Sequence, residues 1–174
     1  MKKWIGNICL ATILALLAFL VPVPVFAGST ADVSVNATPA YVSIAVSPTS
    51  YGFGVVAASS TPSTTTTYFT IDNTSSVVTN QTISVTTSTW AGGVTWTHSD
   101  TATAGVDTAG LKSNKGGTWG TSDVIVKYAS PLKIASDQAA TTDYSFGLKL
   151  IAPTEFTDGV LKEITVRVTA TYGS

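Results

Sequence analysis

Hydrophobic and polar residues alternate with a period of two along most of the chain after residue 27. Such alternation is typical of antiparallel strands that place one face on a core and the other in solvent. The clearest example is the C-terminal stretch, whose apolar positions are Ile164, Val166, Val168, Ala170 and Tyr172. No stretch of helical periodicity competes with this pattern, which therefore predicts an all-β domain of eight or nine strands.

The same alternation recurs in five shorter stretches. Their apolar positions are Val42, Ile44 and Val46; Phe69 and Ile71; Ile83 and Val85; Val124, Val126 and Tyr128; and Phe146, Leu148 and Leu150. Turn-forming residues, such as those at 114–117, separate the stretches at short intervals, which favours a β-sandwich or barrel. Gly92 and Gly93 accept the positive φ of a type I′ hairpin. That hairpin would set Trp90 and Trp96 on neighbouring strands.

Two segments depart from the pattern. Residues 61–67 are nearly all threonine and serine, and they predict a solvated loop, with a locus for O-linked sugar as the alternative. Residues 99–121 are rich in small and polar residues, with Val106, Leu111 and Trp119 as the bulky apolar anchors. They predict a long connection between strands, and connections of that length are often functional.

The first 27 residues have the three parts of a secretory signal. Two lysines follow Met1, an apolar stretch runs from Ile8 to Val21, and Val25 and Ala27 fit the positions before a cleavage site. Residues 1–27 are therefore predicted to be a cleaved signal peptide, and the protein is predicted to be secreted, extracellular or at the cell surface.

A retained anchor helix is the alternative interpretation of this N-terminus. Pro22 and Pro24 argue against it, because proline breaks a spanning helix where a peptidase requires extended chain. The single cysteine, Cys9, lies inside this segment, in a context that does not suit lipidation. The exported chain is accordingly predicted to have no membrane span.

The amino-acid composition of the exported chain excludes several classes of partner and of chemical site. Beyond residue 27 the chain has no cysteine, seven basic residues and ten acidic ones, a formal charge of −3. Nucleic acid is an unsuitable partner for such a chain. Disulfides, thiolate metal sites and cysteine nucleophiles are excluded for the exported chain. Serine and threonine make up about a third of it, well above ordinary usage.

The exported chain is predicted to consist of an N-terminal extension or first strand at 28–39 and a β-sandwich domain at 40–174. Within the extension, Val33, Val35 and Ala37 alternate with polar residues in the segment 31–37. A short strand of this kind can pair within its own sheet or add to the open edge of a neighbouring subunit.

Two short motifs resemble a known family. Residues 47–56 read Ser-Pro-Thr-Ser-Tyr-Gly-Phe-Gly-Val-Val, and residues 69–74 read Phe-Thr-Ile-Asp-Asn-Thr. This order resembles immunoglobulin-like domains of the abnormal-spindle and hydin type, which are common in bacterial surface proteins. The chain departs from them at residues 57–60, where those domains have a turn of small residues, glycine and serine. The resemblance implies an immunoglobulin-like antiparallel sandwich with a role in adhesion or scaffolding, and no catalytic residues.

The residues of these motifs also have a direct physical interpretation. Pro48 ends one strand, and Gly54 forms a bend after the core residue Phe53. Asn73 caps a turn between strands by bonding the backbone.

No catalytic grouping is evident in the sequence. His98, the single histidine, is predicted to pack beside Trp96 at the end of a strand, with general base or metal ligand as the alternative. The only glutamates, Glu155 and Glu163, flank a turn, and no Gly-x-Ser-x-Gly motif occurs. Calcium held by the loop residues Asp100, Asp107 and Asp123 is a weaker alternative, because no recognised spacing supports it. We therefore predict no enzyme activity, no metal site and no cofactor.

Tryptophans and sequons are the remaining candidates. Trp90, Trp96 and Trp119 are candidates for stacking on sugar rings if exposed, although buried tryptophan is common in sandwiches. Candidate N-glycosylation sequons lie at Asn36, Asn73 and Asn80.

These patterns predict a secreted, non-enzymatic structural or adhesive protein. Its partners would be copies of itself or other cell-surface proteins, as in a surface layer or filament. The alternative function is a carbohydrate-binding module that binds polysaccharide through its tryptophans.

Overall fold

The computed structural model describes residues 33–173, and this part of the chain is all-β with no helix. Its strands are β1 (Ile44–Ser47), β2 (Phe69–Asn73), β3 (Thr79–Val85), β4 (Thr89–Trp90), β5 (Trp96–His98), β6 (Thr108–Ser113), β7 (Val124–Val126), β8 (Leu132–Gln138), β9 (Asp143–Phe146), β10 (Leu148–Ile151) and β11 (Val166–Tyr172). The all-β prediction is confirmed. The eleven strands of the described part exceed the eight or nine predicted, because short strands lie where connections were expected.

The strands form three sheets. One has the order β1-β2-β9, a second β11-β3-β8, and a third β10-β6-β5-β4 with β7 also paired to β6. All pairings are antiparallel except β5 with β6. The fold therefore has the predicted antiparallel, β-sandwich-like character.

The core follows the period-two pattern of the sequence. Ile71 of β2 and Ile83 of β3 are fully buried, and each lies between polar or half-buried neighbours on its own strand. Phe69 lies opposite Phe146 of β9 in register, and their rings stack with centroids 5.3 Å apart. Leu111 and Leu150 add the third sheet to the same cluster. The alternating positions thus supply a shared core for the three sheets.

The prediction of a long connection at 99–121 is wrong over its middle. Residues 108–113 form β6, which pairs with β5, β7 and β10 and buries Ala109, Leu111 and Ser113. Small residues hide this strand from a hydrophobicity pattern. Alanine and serine fill two of its three inward positions, and the strand is covered on both edges.

The predicted loop at 61–67 has no strand, and most of its residues are exposed, but part of it is bonded to β10 rather than free in solvent. The Thr64 N–H donates to the Leu148 carbonyl and the Leu150 N–H donates to the Pro62 carbonyl, both at 2.9 Å. Thr64 is buried, and its hydroxyl accepts the Leu148 N–H at 3.0 Å and donates to the Thr65 carbonyl at 2.8 Å. The segment therefore lies along β10 without forming a strand, and the Thr64 hydroxyl satisfies one backbone N–H of β10.

The turn at Gly92 and Gly93 sets Trp90 opposite Trp96, as predicted. Five residues separate the paired tryptophans, so the connection is longer than the predicted two-residue turn. Both glycines have positive φ, and a Cβ atom at Gly92 would overlap the Leu161 carbonyl. The turn therefore lies directly against the loop that precedes β11.

Lys162 holds this turn in place. Its Nζ atom donates to the Gly92 carbonyl and to Asp158, each at 2.6 Å, and Asp158 accepts the Val94 N–H. The hydrogen bond from Lys162 and the Val94 N–H lower the pKa of Asp158 below its usual value. This polar contact fixes the Trp90 and Trp96 hairpin on the rest of the domain.

Two local predictions from the motifs are confirmed. β1 ends at Ser47, directly before Pro48. Asn73 ends β2, and its Oδ1 atom accepts the Ser75 N–H at 3.2 Å, as expected for a residue that caps a turn.

The predicted signal peptide at 1–27 and the first residues of the extension lie outside the described residues. Residues 38–173 belong to one compact unit, and residues 33–37 belong to a separate one. No strand or helix includes residues 33–43. Within residues 33–173, no helix has the length and apolarity needed to cross a membrane.

Candidate functional site

Two of the three tryptophans predicted as candidates for stacking on sugar rings are buried. Trp90 and Trp96 are 5% and 8% exposed, and both belong to the core. The Trp96 ring stacks on Phe156 with centroids 5.4 Å apart. A sugar cannot reach either ring face in the folded domain, so these residues serve packing.

Trp119 is half-buried and lies outside this cluster. Its Nε1–H donates to the Thr64 carbonyl at 3.1 Å, and the Lys149 ammonium lies 4.4 Å from a ring centroid. Lys149 in turn pairs with Asp123 at 2.7 Å. Burial works to raise the pKa of Asp123, but hydrogen bonds from Lys149 and the Gly120 N–H outweigh it and hold that pKa below its usual value. A charged pair therefore occupies one side of the ring.

His98 lies at the end of β5, as predicted, with its side chain fully buried. Its Nε2 atom is 2.9 Å from the Val126 carbonyl and 3.7 Å from Asp100. The imidazole lies beside the Trp90 ring, with the two ring centroids 6.5 Å apart. This position differs from the sequence prediction, which places it beside Trp96. The contact of Nε2 links β5 to β7, whereas the buried Nδ1 atom has no hydrogen-bond partner in the described part of the chain.

The three aspartates considered for calcium bond three different parts of the chain. Asp100 accepts the Tyr128 N–H at 2.7 Å, and Asp123 pairs with Lys149. Asp107 accepts the backbone N–H and the hydroxyl of Thr157, and these bonds lower its pKa. Across residues 33–173, no three histidine, cysteine, aspartate or glutamate side chains are grouped as a metal site requires. Each carboxylate instead orders a loop.

The sequons differ in access. Asn73 is fully buried, and its amide donates to the Gln138 and Ala139 carbonyls at 3.3 and 2.9 Å. Glycosylation of folded Asn73 is therefore excluded, which corrects that prediction. Asn80 is half-buried and accepts from Lys133 and from the Asp137 N–H, whereas Asn36 is exposed.

Sheet edges are a further kind of surface on which a partner could bind. The strands with a single paired neighbour are β1, β9, β11, β8, β10, β4 and the three-residue β7. Segment 60–64 covers β10, and β4 has only two residues. β8 has two register shifts and exposes Lys133 and Asp137, features that discourage further pairing. β1 and β9 have four residues each, so β11 is the longest regular edge in the described part.

The backbone of β11 leaves one edge open. Its seven residues pair with β3 without a register shift. The Thr165 carbonyl and the Gly173 N–H both bond toward β3, so odd-numbered residues direct their backbone groups there. Alternation therefore directs the N–H and C=O groups of Val166, Val168, Ala170 and Tyr172 to the other edge. Those groups have no backbone partner among residues 33–173.

The core face of β11 is also incompletely covered. Val166 and Val168 lie opposite Val85 and Ile83 in register, and they point to the same side of the sheet. Ile83 and Val85 are 0% and 2% exposed, whereas both β11 valines and Ala170 are only half-buried. Full burial of a valine stabilises a protein by roughly 1.5 kcal/mol or more. A further strand beside β11 would gain part of that energy.

The polar groups near this edge are also unsatisfied. Gln81 lies opposite Ala170 and Thr79 lies opposite Tyr172. Both β3 residues are fully buried, and the Gln81 amide and the Thr79 hydroxyl have no hydrogen-bond partner in the described part of the chain. Unpaired buried polar groups cost about 1 to 3 kcal/mol each. The core beside the end of β11 is therefore incomplete in hydrogen bonding as well as in packing.

Asn114 is a structural residue that sequence reasoning placed only at the start of a turn. Its amide nitrogen donates to the Thr66 carbonyl at 2.8 Å and to the Gly117 carbonyl at 2.7 Å. Its oxygen accepts the Gly147 N–H at 2.7 Å and the Gly116 N–H at 3.2 Å. The side chain thus joins the turn to the segment along β10 and to the junction of β9 and β10.

The chain matches no protein-family model, and no curated protein or solved structure shows significant similarity to it.

Proposed function

We propose that the protein is a secreted, non-enzymatic structural or adhesive subunit of a cell-surface layer or filament. The observation that carries the proposal is the open edge of β11, which combines seven regular residues, unpaired backbone groups and a half-exposed core face. Monomeric proteins protect such edges, because an exposed regular strand is a template for pairing with another chain.

The other edges support this proposal by contrast. β8 is interrupted and charged, β10 is covered, and β1, β4, β7 and β9 are short. Protection of these edges and exposure of β11 are what a subunit that joins its neighbours at one place requires. The secretory pattern at 1–27 and the resemblance to immunoglobulin-like surface domains agree with an extracellular scaffold, and we include both in the proposal.

The mass and shape of the exported form, residues 28–174, test the proposal. We expect light scattering on a sizing column to give masses of many subunits, and negative-stain images of the same fractions to show filaments or ordered layers. A compact monomer of about 15 kDa at all concentrations, without ordered particles, would overturn the proposal.

Trp119 alone carries the alternative of carbohydrate binding, because it is the one tryptophan of the three that is not buried. We expect Trp119→Ala to lower the free energy of unfolding by about 2 kcal/mol or more, because the ring packs beside Gly147 and bonds Thr64. Polysaccharide pull-down of the wild type and of this variant, with chemical denaturation of both, provides the measurement. Retention that is lost in Trp119→Ala without a loss of stability would favour the carbohydrate-binding module.

A further inference from the structure

We infer that the open edge of β11 binds the segment 31–37 of a second copy of this chain, which adds as an antiparallel strand. The inference rests on the proposed structural function and names the partner of its assembly site. It assigns β11 as the acceptor and the N-terminal segment as the donor, so that identical subunits join head to tail.

The donor segment has the pattern that a half-buried strand requires. Val33, Val35 and Ala37 alternate with Asp32, Ser34 and Asn36. In the described part of this segment, Val33 and Val35 are 83% and 86% exposed. Residues 33–37 form no strand, and exposed valines at alternate positions gain from burial on docking.

Donor and acceptor also agree in length and phase. Each has seven residues, and an antiparallel alignment places Ser34 opposite Thr169 at the centre. In that alignment Val33 and Val35 face the core side with Ala170 and Val168, because residues directly opposite each other point to the same face. The polar donor residues then lie on the solvent face. The donor therefore covers the half-exposed face described above and pairs the free backbone groups of β11.

The orientation requires a second copy. Tyr41 is held beside Ser76, since the Ser76 N–H donates to the Tyr41 carbonyl at 3.2 Å. Ser76 lines a shallow groove together with Tyr172 and Gly173, at the end of β11 farthest from Val166. The antiparallel alignment places Ala37 at the Val166 end, about 20 Å away along the strand. Four residues span at most about 14 Å, so the chain's own segment cannot reach this position.

A parallel strand contributed by the same chain is the rival arrangement. Its Ala37 would lie next to Tyr172, close to the attachment at Tyr41, and the edge would be closed without a partner. Antiparallel pairing is the more stable of the two per residue. Both arrangements place Ser34 opposite Thr169, but only the antiparallel one joins two chains and places Asn36 opposite Arg167.

Single cysteines provide a test of the two arrangements, because residues 28–174 contain none. Chains with Ser34→Cys and chains with Thr169→Cys, distinguished by tags, are produced together and oxidised. We expect a disulfide-linked heterodimer, since opposed residues in this alignment lie within disulfide distance. The matched control is Ser34→Cys mixed with Ala45→Cys. Ala45 lies on the exposed face of β1, which is an edge strand of another sheet. The first pair should give about tenfold more heterodimer than the control, because docking raises the effective thiol concentration.

A second pair of mixtures determines the orientation. Asn36→Cys should link to Arg167→Cys and not to Thr171→Cys, because Asn36 lies opposite Arg167 only in the antiparallel alignment. Preferred linkage to Thr171→Cys would overturn the antiparallel arrangement. Monomers with an internal disulfide in the double variant S34C/T169C, with no heterodimer in the mixture, would overturn docking between copies.

The proposed function can survive failure of this inference. Ordered assemblies in light scattering, without linkage of Ser34→Cys to Thr169→Cys above the Ala45→Cys control, would retain the structural role and exclude β11 as the acceptor. A monomer in both experiments would exclude both proposals.

Discussion

Replacement of both Val33 and Val35 by aspartate is expected to abolish assembly and to leave the folded monomer intact. In the docked arrangement these side chains lie against the half-buried face of β11, where a carboxylate would lose its hydration without a partner. Loss of two buried valines alone costs about 3 to 6 kcal/mol, which weakens the dissociation constant by about two to four orders of magnitude. Both residues lie outside the compact unit 38–173, so the melting temperature of the monomer should not change.

The matched control is Ser34→Asp with Asn36→Asp, which adds the same two charges to the solvent face of the donor. Light scattering at equal concentrations should detect assembly of the control and monomers of the valine variant. Equal assembly of the two variants would show that the alternation of the segment has no role, and the donor assignment would fail.

Replacement of Asn114 by alanine is expected to lower the free energy of unfolding by about 3 kcal/mol or more. The substitution removes four hydrogen bonds from a fully buried position and leaves the Thr66 and Gly117 carbonyls and the Gly147 N–H without partners. A loss of this size is a large fraction of the 5 to 15 kcal/mol of a typical domain.

Asn80→Ala is the control for Asn114→Ala. Asn80 is half-buried and bonds only Lys133 and the Asp137 N–H at the surface, so we expect a cost of about 1 kcal/mol or less. Denaturant titration of both variants provides the comparison. If Asn114→Ala lowers the free energy of unfolding no more than Asn80→Ala does, the hydrogen bonds of Asn114 do not hold its turn, the segment along β10 and the junction of β9 and β10 together.

The sequence predicts the strands whose inward positions are large and apolar. β2, β3 and β11 follow from alternation, because Phe69 and Ile71, Ile83 and Val85, and Val166 and Val168 each fall on one face in a strand. The pairing of Trp90 with Trp96 follows from two adjacent glycines, since a tight reversal requires positive φ.

β6 and β8 are the longer strands that sequence reasoning missed. β6 places Ala109 and Ser113 beside the single large inward residue Leu111, and β8 buries the adjacent residues Ile134 and Ala135, so neither shows a clear alternation. Segment 60–64 is bonded to β10 partly through the Thr64 hydroxyl. The hydropathy of small or hydroxylated residues does not distinguish them from loop residues. Their burial becomes evident only when the neighbouring strands are in place. The division of 146–150 into two strands depends on the bond from the Gly147 N–H to Asn114, a contact between residues 33 positions apart.

For the candidate sites too, the sequence predicts local patterns but not the contacts between distant segments. The alternation of residues 31–37 is local, so the sequence could predict a short strand that pairs within its own sheet or with a neighbouring subunit, whereas residues 33–43 contain no strand in the structure. Which edge is open depends on the register shifts of β8, the cover on β10 and the end position of β11 in its sheet. The burial of Trp90, Trp96 and Asn73 is likewise a property of packing between distant segments.

Hydrogen exchange at the amides of Val168 and Ala170 tests the central claim most directly. These N–H groups are directed to the open edge, whereas the N–H groups of Thr169 and Thr171 are directed to β3. We expect the Val168 and Ala170 amides to exchange rapidly in the monomeric V33D/V35D variant and to be strongly protected in the wild-type assembly, with the other two protected in both. Rapid exchange of Val168 and Ala170 in the assembly would contradict the claim that a strand from a neighbouring subunit completes this edge.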